Sequence, residues 1–350
     1  MAQRIDAIDI AKGIAIIAVL VGHSITPDMP QTIISLCFTF HMPLFFIASG
    51  YFCKASTRPD RAFVVKNARA LLIPYVLTCV AVVLLALLRG IVVGEPQLGV
   101  KNALDYLVAS LYGSGSVVAG MPEGVIAIGA VWFLLAMFWG KLFLAAANNS
   151  PAPAAIVVGL FAAGYLIGCD DVWLPLGVQP GMCATLFLWL GQRFRELGVL
   201  ERGAVSPVLG WLAAGVWLYC IMFEGQLFMV ANTYGNVLLD VLGGIAGSYC
   251  VLKASQWLEA RCRAVAEPLR RLGLITLPVF CMHLVELDVF PWGLVDDALV
   301  AAGVPCIWLA TVALRCVVVT VMTLVLWRMP RVVSGVFFAS RKAPAPAKAA

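Results

Sequence analysis

The chain has 350 residues, 62% hydrophobic and only 12% charged, with a formal net charge of +5. A soluble domain is roughly half apolar and a quarter charged, so this balance excludes a water-soluble globule. The positive charge follows from topology, as shown below, and calls for no nucleic-acid partner.

Apolar runs of about 20 residues, the length that crosses roughly 30 Å of hydrocarbon, recur along the sequence. They predict an all-α, polytopic transmembrane bundle of about ten helices over 8–25, 31–53, 70–93, 125–146, 153–168, 176–192, 206–223, 236–252, 272–290 and 304–327. The first run follows Arg4, Asp6, Asp9 and Lys12, and no small-residue cleavage site comes after it, so it reads as a mature helix and not a signal peptide. Cytoplasmic loops carry the excess of Lys and Arg. With the N-terminus inside, the inner connections hold Lys54, Arg58, Arg61, Lys66 and Arg69, then Arg193, Arg195 and Arg202, then Lys253, Arg261, Arg263, Arg270 and Arg271. The outer loops gather Glu95, Asp105, Glu123, Asp170, Asp171, Glu224, Asp296 and Asp297 against Lys101, and both termini fall in the cytoplasm.

The fifth and sixth runs are the shortest, and no charge fixes the turn Asn148-Asn149-Ser150-Pro151, so an eight-helix arrangement in which they merge or re-enter stays open. The longest outer segment, 94–124, joins an amphipathic stretch (Val100 to Leu111) to a Gly/Ser run and is the expected acceptor-facing surface. Residues 1–341 form one membrane domain. Residues 342–350 carry too little apolar side chain to pack and read as a disordered tail. The 11 cysteines are scattered singly, as small buried hydrophobes are, and Cys169 and Cys306 are the two placed outside. No metal is expected, because the three histidines lie on three helices without ligand spacing.

An ionisable side chain inside a span is costly and is a functional candidate by default. Lys12 and His23 are 11 residues apart, about three turns and roughly 16 Å along one face of a helix. Lys12 either snorkels to the headgroups or binds an anion. His23 either marks the helix end or serves as a general base, for which an imidazole is suited near neutral pH. His283 and Glu286 form an i, i+3 pair in which a carboxylate orients a ring, and His41 lies mid-helix as a packing or cavity-lining residue. Asp240 and Arg315 are expected to neutralise each other across the bundle, Asp9 to pair with Arg4 or another inner cation, and Trp132 and Phe133 to pack.

The run from Asp9 through Lys12-Gly13 to Gly22-His23 resembles the opening helix of the membrane acyltransferase 3 family, in its branch similar to fucose 4-O-acetylases. Phe40-His41-Met42-Pro43 through Gly50-Tyr51, Lys66 to Arg69 and Pro74, Val131 to Leu134, and Gly273 to His283 resemble further blocks in family order. The resemblance implies transfer of an acyl group, by default acetyl, from cytoplasmic acyl-CoA to a hydroxyl of a sugar, glycan or lipid-linked saccharide outside a bacterial inner (plasma) membrane. It makes His23 the catalytic histidine. It puts Lys12 where much of the family has arginine, a change that keeps the charge and loses the bidentate fork. Lys66 and Arg69 match a basic pair that would hold the CoA phosphates, or they are ordinary cytoplasmic loop charge. His41, His283 and Glu286 are the candidates for acceptor binding. A transporter or a non-catalytic export component is the rival class.

Overall fold

A computed structural model describes residues 5–169, 172–201 and 206–338. The expected tail 342–350, the boundary at 341, Arg4, Asp170, Asp171 and Arg202 lie outside the described residues. Regular structure among the described residues is helical, with one isolated bridge between Phe228 and Thr233. In chain order the helices are α1 (Asp6–Gly22), α2 (Gln31–Tyr51), α3 (Arg61–Val93), α4 (Pro96–Tyr112), α5 (Trp132–Asn148), α6 (Pro153–Cys169) and α7 (Val178–Glu196). They continue as α8 (Pro207–Tyr219), α9 (Val237–Arg261), α10 (Arg263–Leu274), α11 (Thr276–Val289), α12 (Trp292–Ala301), α13 (Ile307–Arg328) and α14 (Arg331–Phe337).

Each of the ten predicted runs falls on a helix. Six are long and apolar enough to cross a membrane: α2, α3, α5 with the turn before it, α8 with the turn after it, α9 and α13. The pair α10 and α11, bent by 72°, makes a seventh if it counts as one span. The others differ for plain reasons. α1 and α6 have 17 residues each, about 25 Å at 1.5 Å per residue. α7 carries Gln179, Gln192, Arg193 and Arg195. The bundle's outer surface is apolar: α8 buries no side chain, and Val208, Trp211, Leu212, Leu84, Leu88, Val317 and Val321 are exposed. Water does not tolerate such a surface, and lipid does.

One end of the bundle collects the basic residues. There Asn149 donates to the carbonyl of Thr57 (2.9 Å), Asn148 to Gln192 (3.2 Å) and Gln192 to the carbonyl of Cys53 (3.4 Å), tying the ends of α2, α5 and α7. Lys253 and Gln256 donate to the carbonyls of Val199 and Leu200, adding α9. These bonds fix the turn at 148–151, and α6 and α7 stand as two separate helices. At the opposite end Arg89 reaches the carbonyl of Val289 (3.4 Å), and Asp28 accepts from the N–H of Trp308 (3.2 Å) at the start of α13. The Thr26 hydroxyl (2.6 Å), with that N–H, holds Asp28 below the ordinary carboxylate range.

In segment 94–124 the amphipathic stretch is the helix α4. α4 folds back along α3, and the Tyr75 hydroxyl donates to the carbonyl of Ser110 (2.6 Å). Gly90 and Gly99 let the two backbones touch, since a Cβ on Gly90 would lie 2.4 Å from the Cα of Gly99. α10 was expected as loop. It is amphipathic, with Glu267 bonded to Arg270 (2.8 Å) and Arg271 (2.7 Å), and it crosses α1 backbone to backbone. A Cβ on Gly13 would lie 2.1 Å from the carbonyl oxygen of Leu269, and one on Gly273 would lie 1.7 Å from that of Asp9. Two glycines of the recognised blocks therefore exist to let α1 and α10 touch.

Candidate active site

From that crossing, His23 lies ten residues beyond Gly13, at the end of α1, and His283 ten residues beyond Gly273, past the 72° bend between α10 and α11. The two rings meet there. Their centroids are 5.4 Å apart, and His41 on α2 lies 6.4 Å from His23, so the three histidines of the chain meet in one cluster. Phe38 packs on His23 (5.6 Å) and His41 (5.2 Å). His41 and His283 are buried, and His23, at the C-terminal end of α1, is half-buried. His41 is near the middle of α2, so the cluster sits inside the bundle and not at its rim.

Each ring is held by its Nδ1. That of His23 is 2.8 Å from the carbonyl oxygen of Val19, and that of His41 is 2.6 Å from that of Cys37. A carbonyl oxygen only accepts, so in the neutral ring the proton is on Nδ1 and the lone pair is on Nε2. His283 Nδ1 is 2.8 Å from Glu286 Oε1, the i, i+3 pair expected from the sequence. The Nε2 of His283 is buried and has no hydrogen-bond partner among the described residues.

Behind His283 the carboxylate of Glu286 is fully enclosed. Trp292 Nε1 donates to its Oε2, and Arg315 Nη1 lies 3.6 Å from its Oε1 with the guanidinium 4.6 Å over the Trp292 ring. Glu286 can therefore act on a substrate only through His283. The expected pairing of Asp240 with Arg315 is corrected: Arg315 meets Glu286, and Asp240 accepts from the N–H of Gly235 (2.8 Å) at the start of α9.

On the basic side of the cluster a cavity of about 260 Å³ is lined by Lys12, Lys141, Ser49, Met42, Phe133 and Phe280, among others. Met42 adjoins His41, and Phe280 is one turn from His283. Phe133 packs on Phe45 (5.8 Å), Phe46 (5.0 Å) and Phe280 (5.6 Å) between α2, α5 and α11, the packing role expected of it. Lys12 pairs with Asp9 at 2.7 Å. Lys66 and Arg69 are exposed on the first turns of α3 and do not line the cavity; Lys66 lies within electrostatic range of Lys141. Sequence reasoning missed Lys141, although a lysine inside the run 125–146 is itself a signal of the kind that singled out Lys12. At the opposite end a polar cavity of about 440 Å³ is lined by Arg89, Glu95, Asn102, Asp105, Tyr106 and Asp288, with α4 forming one wall. Among the described residues, no group of three or more His, Cys, Asp or Glu side chains is arranged to hold a metal ion. All cysteines are free, Cys169 and Cys306 among them.

A multi-pass helical membrane protein with a buried histidine cluster beside a lysine-lined cavity is what fold and site define. The chain matches the acyltransferase domain over residues 5–327. It belongs to the acyltransferase 3 family and is a membrane acyltransferase. No curated protein and no solved structure matches it.

Proposed function

We propose that the chain transfers an acyl group, acetyl by family default, from cytoplasmic acyl-CoA to a hydroxyl of a sugar, glycan or lipid-linked saccharide on the outer side of a bacterial inner membrane. The observation that carries the reading is the setting of His23. Its Nδ1 is committed to Val19, the residue is partly buried, and its Nε2 is the basic nitrogen of a cluster whose sequence neighbours Met42 and Phe280 line a cavity shared with Lys12 and Lys141. The segregation of Lys and Arg to one end of the bundle supports a cytoplasmic position for it, and hence ten spans with both termini inside.

In the mechanism His23 Nε2 takes the proton of the acceptor hydroxyl as its oxygen attacks the thioester carbonyl. The tetrahedral intermediate collapses with cleavage of the C–S bond, and the proton passes from His23 to the departing thiolate. In the covalent variant His23 Nε2 itself carries the acyl group between the two substrates. His283, fixed by Glu286, and His41 line the acceptor side in this reading. Lys12, Lys66 and Arg69 attract the anionic donor, with Lys66 and Arg69 at the entrance. The resemblance to fucose 4-O-acetylases is the ground for a sugar hydroxyl.

The test is transfer of radiolabelled acetyl from acetyl-CoA into a glycan or lipid-linked sugar by membranes that contain the protein. Wild-type membranes incorporate label and His23→Ala membranes do not. Equal incorporation by both, or none by either, returns the chain to the rival class of glycan or lipid export components.

A further inference from the structure

α5 places Lys141 in the wall of the same cavity as Lys12, and the mechanism above leaves it unused. The two lysines differ in their company. Lys12 has the Asp9 carboxylate at 2.7 Å. Among the described residues no carboxylate lies within ion-pair distance of Lys141, the cation of Lys66 is within electrostatic range of it, and its cavity neighbours include Leu71, Met137 and Phe52. An ammonium among apolar side chains, beside a second cation and without a counter-ion, is costly unless an anion joins it. With Asp9 counted, Lys12 and Lys141 leave the cavity wall with a net positive charge that a bound anion would offset.

Resting on the acyl-CoA reading, we infer that Lys141, together with Lys12, seats the diphosphate of the CoA donor. The depth agrees. Lys12 lies roughly 16 Å below His23 along α1, and Lys141 lies eight residues, about 12 Å, below Phe133 along α5. An anion held between them is one extended pantetheine arm from the His23 ring, and the aromatic wall of Phe133 and Phe280 flanks that arm. The adenosine 3′-phosphate then falls outside the cavity, towards the exposed Lys66 and Arg69. Lys141 is the stronger of the two contacts, because Asp9 already neutralises its companion.

The experiment compares three donors in membranes: acetyl-CoA, acetyl-dephospho-CoA, which lacks the 3′-phosphate, and S-acetylpantetheine, which has no phosphate. In Lys141→Met the KM for acetyl-CoA and for acetyl-dephospho-CoA rises about tenfold or more, as expected for loss of a charge-assisted contact. The preference of the enzyme for these donors over S-acetylpantetheine shrinks by the same factor. Lys141→Arg recovers most of the preference, and Asp9→Asn, which frees Lys12, increases it. A preference unchanged in Lys141→Met overturns the inference. So does an effect that disappears with acetyl-dephospho-CoA, which would assign the contact to the 3′-phosphate. Wild-type membranes inactive with every CoA donor sink the acyl-CoA reading itself, and the inference with it. Equal amounts of folded wild type and Lys141→Met, scored by thermal unfolding in detergent, keep a folding defect from imitating the result.

Discussion

Nδ1 of all three histidines is committed, to Val19, Cys37 and Glu286, but only His23 combines this with partial exposure. We expect His23→Ala to abolish acyl transfer while the protein still inserts, measured as label incorporation against the amount of protein in the membrane fraction. Glu286 makes a different prediction. Its replacement by Gln leaves the buried Arg315 without its carboxylate, which should cost about 3–5 kcal/mol of stability. The double variant Glu286→Gln/Arg315→Met should recover much of that in a thermal unfolding assay, and a double variant no better than the single one refutes the pairing. The sequence made His23, and the His283–Glu286 contact, legible because motif and i, i+3 spacing are local properties. It misassigned the partner of Arg315, since Glu286 and Asp240 both lie on other helices and sequence separation does not tell which of them crosses beside it. The meeting of the three rings was hidden for the same reason: it depends on how helices cross.

At the level of helices, the crossing of α1 and α10 sets the register between His23 and His283. Gly13→Ala or Gly273→Ala pushes a methyl group into a main-chain carbonyl at 2.1 or 1.7 Å. Both should lower thermal stability and acyl transfer together. Gly159→Ala, on α6 with nothing within 4 Å of the new atom, should be neutral in both assays and serves as the control. The glycines were visible in the sequence as members of recognised blocks, and their reason was not. α10 itself escaped notice because Arg263, Glu267, Arg270 and Arg271 give its sequence the hydropathy of a loop, although their spacing places them as i, i+3 and i, i+4 partners on one helix. α4 was half legible. Its amphipathic stretch was marked, but only the contact of Gly90 with Gly99 turns it back along α3.

For the whole molecule, each of the ten apolar runs falls on a helix, six or seven of the resulting helices being long and apolar enough to cross a membrane, and the Lys and Arg bias predicted one basic end, which the hydrogen bonds among α2, α5, α7 and α9 assemble. Sidedness follows if that end is cytoplasmic. A membrane-impermeant maleimide should then modify Cys169 and Cys306 on intact cells, and Cys262 only after the membrane is opened, read by peptide mass. The reverse pattern inverts the topology. The brevity of α1 bears on what such an enzyme can esterify. A helix of 17 residues spans about 25 Å, less than the roughly 30 Å of hydrocarbon, so in the proposed orientation, with its start at the inner face, its terminal imidazole lies below the outer face. Under the proposed function, a hydroxyl would then have to reach it on something slender, such as the tip of a branch or the end of a chain, and the middle of a stiff polymer would stay out of reach.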